Sequence, residues 1–260
     1  MAKAELIDGI LAHLPAELIR ACYSAAPGNE IASGKFMSPE SSAALSANAF
    51  GYFLDKPAQL PPLPLDLNVG WPPHRVSLET ECRFPWNGGR HPWLDVMVET
   101  ETALVGIESK RYEPFRTRKA AAMSDAYWRP VWGDQMAGYC SLRDDLRSGS
   151  IKFQRLDAAQ LIKHAFGLRS CIHRETVPAQ RRAVLVYLYA EPRALPDGRK
   201  IPCEQIEQHR QEVAVFSSRV ADDEVTFRAF TYRDLLDRWR HVDDAQLKAH
   251  AEAIEEVFAP

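Results

Sequence analysis

Asp95, Glu108 and Lys110 are the residues whose types and spacing invite chemistry. They lie in Trp93-Leu94-Asp95-Val96-Met97-Val98 and Leu104-Val105-Gly106-Ile107-Glu108-Ser109-Lys110, two short runs rich in aliphatic and β-branched residues that read as strands. Only Glu101-Thr102 and their neighbours separate the runs, so an antiparallel hairpin is the economical reading. A hairpin centred between those two residues sets Asp95 opposite Glu108 on one face. Lys110 shares that face, roughly 6–7 Å further along, because side chains alternate in a strand. Two acids and a lysine on an otherwise apolar hairpin are costly for folding alone. Paired carboxylates form a hard, oxygen-rich site suited to Mg2+ or Mn2+, ions that keep several waters and accept substrate phosphate as a further ligand. A metal there polarises a phosphoryl oxygen and acidifies a water. Lys110 is a compact cation able to hydrogen-bond that water or stabilise transition-state charge. Its alternative use is a salt bridge to Glu108 that merely neutralises the acid.

The elements around this hairpin follow from periodicity. Residues 4–24 place Leu6, Ile7, Ile10, Leu11, Leu14, Leu18, Ile19, Cys22 and Tyr23 at helical spacing, as one helix or two meeting at Pro15. Residues 1–27 are therefore expected to be a helical appendage to a single α/β domain of 260 residues, with a core and C-terminal extension over 28–260. Ser38-Pro39 predicts a helix start, with the helix running to about Leu54 and burying Ala43, Ala47, Phe50 and Leu54. Residues 55–75 are rich in proline and read as a surface loop. Val76 to Arg83 alternates as a strand, and Asn87-Gly88-Gly89 turns the chain into the Asp95 strand, giving a three-stranded meander. Helices are expected from near Asp134, burying Met136, Cys140 and Leu146, and from the Asp157 cap through Phe166. A buried strand spans residues 182–190, a helix 203–219, and a strand Val225 to Phe230. A helix capped by Thr231 and another over 244–258 complete the order. Three adjacent antiparallel strands followed by crossovers imply an α/β fold: a central mixed β-sheet, antiparallel meander plus crossover strand, flanked by helices.

Composition narrows the function classes. With 46% apolar and 26% charged residues the chain reads as an ordinary soluble one. No run approaches the roughly 20 apolar residues of a membrane helix. Glu5 and Asp8 interrupt what would be the core of a signal peptide. Five widely spaced cysteines suggest neither a disulfide framework nor a zinc site and suit a reducing cytoplasm. The histidines show no His-Glu-x-x-His pattern, and Gly28 to Lys35 fails as a phosphate loop because Phe36 stands where Ser or Thr should follow the lysine. A net charge of −3 gives no global attraction to polyanions. A nucleic-acid partner would have to be met by a local patch, and Lys110, Arg111, Arg116, Arg118 and Lys119 form one candidate, opposed only by Glu113 and Glu108. A solvated basic turn is the competing reading.

Asp-x12-Glu-x-Lys resembles the core of the PD-(D/E)xK nuclease superfamily, with its restriction-endonuclease-like fold. Leu94-Asp95 replaces the family's Pro-Asp dipeptide, with Pro92 close by. The resemblance covers mainly residues 76–140, together with the helix, three strands, helix, strand order. It implies that Asp95 and Glu108 bind Mg2+ or Mn2+ and that Lys110 assists the attacking water in hydrolysing phosphodiester bonds of DNA or RNA.

The family often adds an acid from the preceding helix, which Glu40 would fit, or from the first strand, which Glu79 or Glu81 would fit; each reads equally well as a surface acid. Gln135-x-x-x-Tyr139 is similar to the Gln-x-x-x-Tyr motif of RecB-like nucleases, against a core tyrosine and a first-turn glutamine. His91 lies near the hairpin, either for substrate contact or as a turn histidine. The expectation is a cytoplasmic Mg2+-dependent nuclease acting on DNA, alone, as a homodimer or with a partner protein. The alternative is a catalytically silent nuclease-fold protein that binds nucleic acid or serves structurally.

Overall fold

The computed structural model describes residues 4–117, 123–174 and 181–260. Its first element departs from expectation. Residues 6–11 are not helical: β1 (Leu6–Ile7) and β2 (Ile10–Leu11) pair antiparallel around Asp8-Gly9. Both turn residues have positive φ, 51° and 81°, so an Asp-Gly turn of the kind that closes two-residue hairpins overrides the helical spacing. Helix α1 (Ala16–Ala25) follows Pro15. Ile10, Leu11, Ile19 and Tyr23 are buried in the main apolar cluster.

Helix α2 (Ser42–Phe50) begins later than Ser38-Pro39 predicted, because Ser41 is the cap: its Oγ accepts the Ala44 N–H at 3.0 Å. Ser38 instead ends a short 3-10 turn. Every residue from Ala44 to Phe50 is buried, so α2 is enclosed on all sides. Asn48 satisfies its buried amide by accepting from Leu11 N–H at 2.7 Å and donating to Gly9 O at 2.8 Å, which ties the β1–β2 turn to α2.

The central sheet has five strands in the order β3 (Arg75–Glu81), β4 (Trp93–Glu99), β5 (Ala103–Lys110), β6 (Arg182–Tyr189) and β7 (Val225–Thr231). The first three form the expected antiparallel meander, and β6 and β7 are added in parallel. Helices α3 (Ala137–Ser148) and α4 (Ala158–Ile172) lie between β5 and β6. Asp157 caps α4 as expected, accepting from Gln160 N–H at 2.9 Å, and the helix runs one and a half turns past Phe166. Helix α5 (Cys203–Arg219) connects β6 to β7; α6 (Tyr232–Arg240), opened by a Thr231–Asp234 capping box, and α7 (Ala245–Phe258) close the fold.

Alternation along the strands builds two apolar layers. Val96, Val105, Ile107, Val184 and Val186 pack with α2, α6 and α7 on one face. Leu104, Leu185 and Tyr187 pack with α3, α4 and α5 on the other. The α/β architecture is thus a mixed sheet flanked by helices.

Candidate active site

The hairpin has the register that its turn implied. Ladder pairs run from Glu99↔Leu104 to Val96↔Ile107 and stop there. Beyond that point β4 continues along β3, while Glu108, Ser109 and Lys110 continue along β6. Asp95 and Glu108 are therefore the first residues past the place where the two strands part. The Ser109 N–H, left without a ladder partner, is met by Asp95 Oδ2 at 2.6 Å. Each acid is thus fixed by strand geometry rather than by a loop.

A third carboxylate lies in the same row. The outer ladder pairs Leu78 with Val96 and Thr80 with Leu94, so Glu79 stands across from Asp95 between them. Glu79 has φ 49°, a left-handed conformation that glutamate rarely adopts within a strand. Burial, then Asp95, Glu108 and Glu30, push its carboxyl up to about 8 against the pull of Lys110. Burial and Glu108 likewise raise Asp95 well above the usual carboxylate range, opposed by Lys110 and the Ser109 N–H. Glu108 is 2% exposed and is also raised, burial outweighing Lys110.

Lys110 is ion-paired to Glu108 Oε1. Burial would lower it, but Glu108, Glu113 and Asp95 together outweigh that and raise it above its ordinary value, so it is an ammonium at neutral pH. On the other side of Glu108, Oε2 lies 3.2 Å from Nδ1 of His164 on α4, a buried ring nitrogen with no hydrogen-bond partner. Burial and Lys110 lower this imidazole to about 3, so it is neutral. Gly106 allows α4 this close: a Cβ there would fall 2.5 Å from Leu94 Cδ1 and 2.9 Å from Leu168 Cδ2.

These three acids repel one another around a single lysine and all are pushed upward by burial, a strain that a bound divalent cation would relieve. Among the described residues, no three or more His, Cys, Asp or Glu side chains are grouped so as to hold a metal ion. The carboxylate oxygens of Asp95 and Glu108 are of the hard type that Mg2+ and Mn2+ take, beside water and phosphate oxygens.

The family model described as Restriction Endonuclease associating with ARP, REase-ARP, matches residues 24–254. The chain belongs to the REase-ARP family. Its sheet and helices agree with a restriction-endonuclease-like fold, and the family assignment points to a nuclease. No curated protein and no solved structure matches this REase-ARP chain.

The remaining sequence candidates divide clearly. Glu40 lies before α2 rather than on it and is ion-paired to Arg116. Glu81 pairs with Trp93 at the outer end of β3 and lies 3.9 Å from Arg83. Tyr139 is a core residue: fully buried, it donates to Val225 O at 3.1 Å at the opposite end of the sheet from Lys110. Gln135 is exposed in the 3-10 turn before α3, so the Gln-x-x-x-Tyr pair does not join the site. His91 is a turn histidine whose Nδ1 accepts the Phe84 N–H at 3.0 Å.

Only part of the basic patch falls within the described residues. Arg111 is 5% exposed and donates to Pro39 O at 2.7 Å and to Phe258 O, so it is a structural clamp. Arg116 lies beside the Lys110 cleft, and Arg118 and Lys119 fall outside the described residues. Two neighbours of the site escaped sequence reasoning. Glu113 accepts from Ser42 Oγ at 2.5 Å and from Arg111 N–H at 2.8 Å. Burial would raise its carboxyl, but Lys110, Ser42 and backbone N–H groups outweigh that and hold it below its ordinary value. His164 was one polar residue on an otherwise apolar helical face, a pattern that carries no signal of its own. Among the described residues no helix is long and apolar enough to cross a membrane.

Proposed function

We propose that this protein is a Mg2+- or Mn2+-dependent nuclease that hydrolyses phosphodiester bonds of DNA or RNA. The observation that carries the reading is the juxtaposition of Asp95 and Glu108 where β4 and β5 part, with the charged Lys110 two residues on. Asp95 and Glu108 would hold the ion, which supplies Lewis-acid polarisation of the phosphate and a more acidic water. Lys110 would place a fixed positive charge against a non-bridging phosphoryl oxygen as negative charge develops there. Ser109 N–H orients Asp95, and Glu113 helps to keep Lys110 protonated. The family description speaks of association with ARP, and we include a protein partner of that kind in the proposal.

One observation favours the silent alternative: Glu108 is engaged by Lys110 on one oxygen and flanked by His164 on the other. The two readings are separated by incubating the protein and its Lys110→Ala variant with plasmid, linear and single-stranded substrates in Mg2+, Mn2+ or EDTA. The nuclease reading expects ion-dependent cleavage that the variant loses. Cleavage indifferent to EDTA or to the substitution would refute it, and binding without cleavage would favour the silent reading.

A further inference from the structure

The cleft beside Lys110, about 250 Å3, is walled by Glu113, Arg116, Asp157 and Tyr187. It does not end there. Arg116, Thr117 and Arg155 also line a second groove of about 980 Å3, which runs outward over the start of α4 and the end of α3. Among the described residues that line it, the groove carries five cations, Arg116, Arg147, Lys152, Arg155 and Arg199, against the carboxylate of Asp125. In a chain of net charge −3, such a concentration runs against the average surface.

The cations differ in how much of their charge is already spent. Arg116 is paired to Glu40, and Arg199 to Asp197 at 2.7 Å. Arg147 lies 4.2 Å from the centre of the Trp128 ring and 3.2 Å from Asp125. Arg155 is held by neutral acceptors, Gln208 at 3.3 Å and Pro114 O at 3.4 Å. Lys152 is exposed and forms no ion pair among the described residues. Among the described residues Lys152 and the Arg155 side chain form no ion pair, on one short stretch leading to the Lys110 cleft. The Glu212 carboxylate is held nearby on the backbone N–H groups of Gln154, Arg155 and Leu156.

We propose that this groove is the track along which the phosphate backbone of a nucleic-acid strand runs to Lys110, with Lys152 and Arg155 as its principal phosphate contacts. The inference rests on the nuclease reading for the direction of the track, but binding can be measured apart from cleavage. Fixed cations on a continuous concave wall suit a repeating polyanion better than an isolated anion. The contacts position a strand and carry no base specificity.

The test is fluorescence anisotropy with labelled single-stranded DNA, duplex DNA and single-stranded RNA over a salt series, in EDTA and in Ca2+. The full chain is compared with Lys152→Gln, with Lys152→Gln/Arg155→Gln, and with Lys248→Gln on α7 as a control across the sheet. Thermal melts establish that each variant is folded. The double variant should bind roughly tenfold more weakly near 0.1 M salt, and the slope of log K against log salt should shrink by about 1.4 for a single strand or about 1.8 for duplex. The Lys248→Gln control should match wild type. Equal affinity and slope in the double variant, or no wild-type binding to any of the three ligands, would overturn the track. A groove variant that loses binding while Lys110→Ala still cleaves would retain the track and refute only the catalytic assignment.

Discussion

Nδ1 of His164 lies 3.2 Å from Oε2 of Glu108, while Lys110 occupies the other carboxylate oxygen. Both side chains are buried, and they come from α4 and β5, whose close approach Gly106 permits. The carboxylate is thus flanked on two sides, by the Lys110 ammonium and by a ring nitrogen from α4 that makes no hydrogen bond to it.

If the nuclease reading holds, replacing His164 with Gln should leave the fold intact and change ion-dependent cleavage by up to roughly 10–100-fold, the usual range for altering a group packed against a ligating side chain. Single-turnover rates, with calorimetric Mn2+ titration as an independent readout, check this. Wild-type values in both would remove His164 from the site.

Glu79 supplies a pH-dependent cost. Its folded value of about 8 lies above its ordinary 4.5, so the folded chain holds a proton there that the unfolded chain releases. This group therefore makes stability fall as pH rises from about 4.5 to about 8, by a few kcal/mol at most. Glu79→Gln should match wild type near pH 4 and become increasingly more stable above pH 5, the gain levelling off beyond pH 8. Denaturant midpoints across that range measure the difference.

Arg111→Ala should destabilise the protein by about 3 kcal/mol, because it strands the buried carbonyl of Phe258, loses the part-buried bond to Pro39 O and removes a buried guanidinium. Urea unfolding reads the loss. The salt slope of nucleic-acid binding should not change, in contrast to the groove variants.

Tyr139→Phe should cost about 1 kcal/mol through the lost hydrogen bond to Val225 O and leave cleavage within twofold. A large fall in rate without a fall in stability would return the Gln135–Tyr139 pair to the active site.

Asp95, Glu108 and Lys110 were legible in the sequence because a hairpin is a local object. A short turn and strict alternation fix its register, so the position of Glu101-Thr102 was enough to set the two acids across from each other. The meander, the buried β6 and the Asp157 and Thr231 caps were legible for the same reason, each depending on neighbours a few residues away. Local signals also competed. The Asp8-Gly9 turn overruled a helical spacing, and Ser41 outranked Ser38 as a cap.

Only the tertiary structure decided what surrounds the hairpin. It put His164 beside Glu108, buried Arg111 under Phe258, removed Tyr139 to the far end of the sheet, and joined Arg116, Arg155 and Arg199 into one groove. These are contacts between distant segments, brought together by packing α4, α5 and α7 on the sheet. Burial then determines whether a charged side chain binds a partner or holds the fold, and burial has no signature in a single residue's neighbours along the chain.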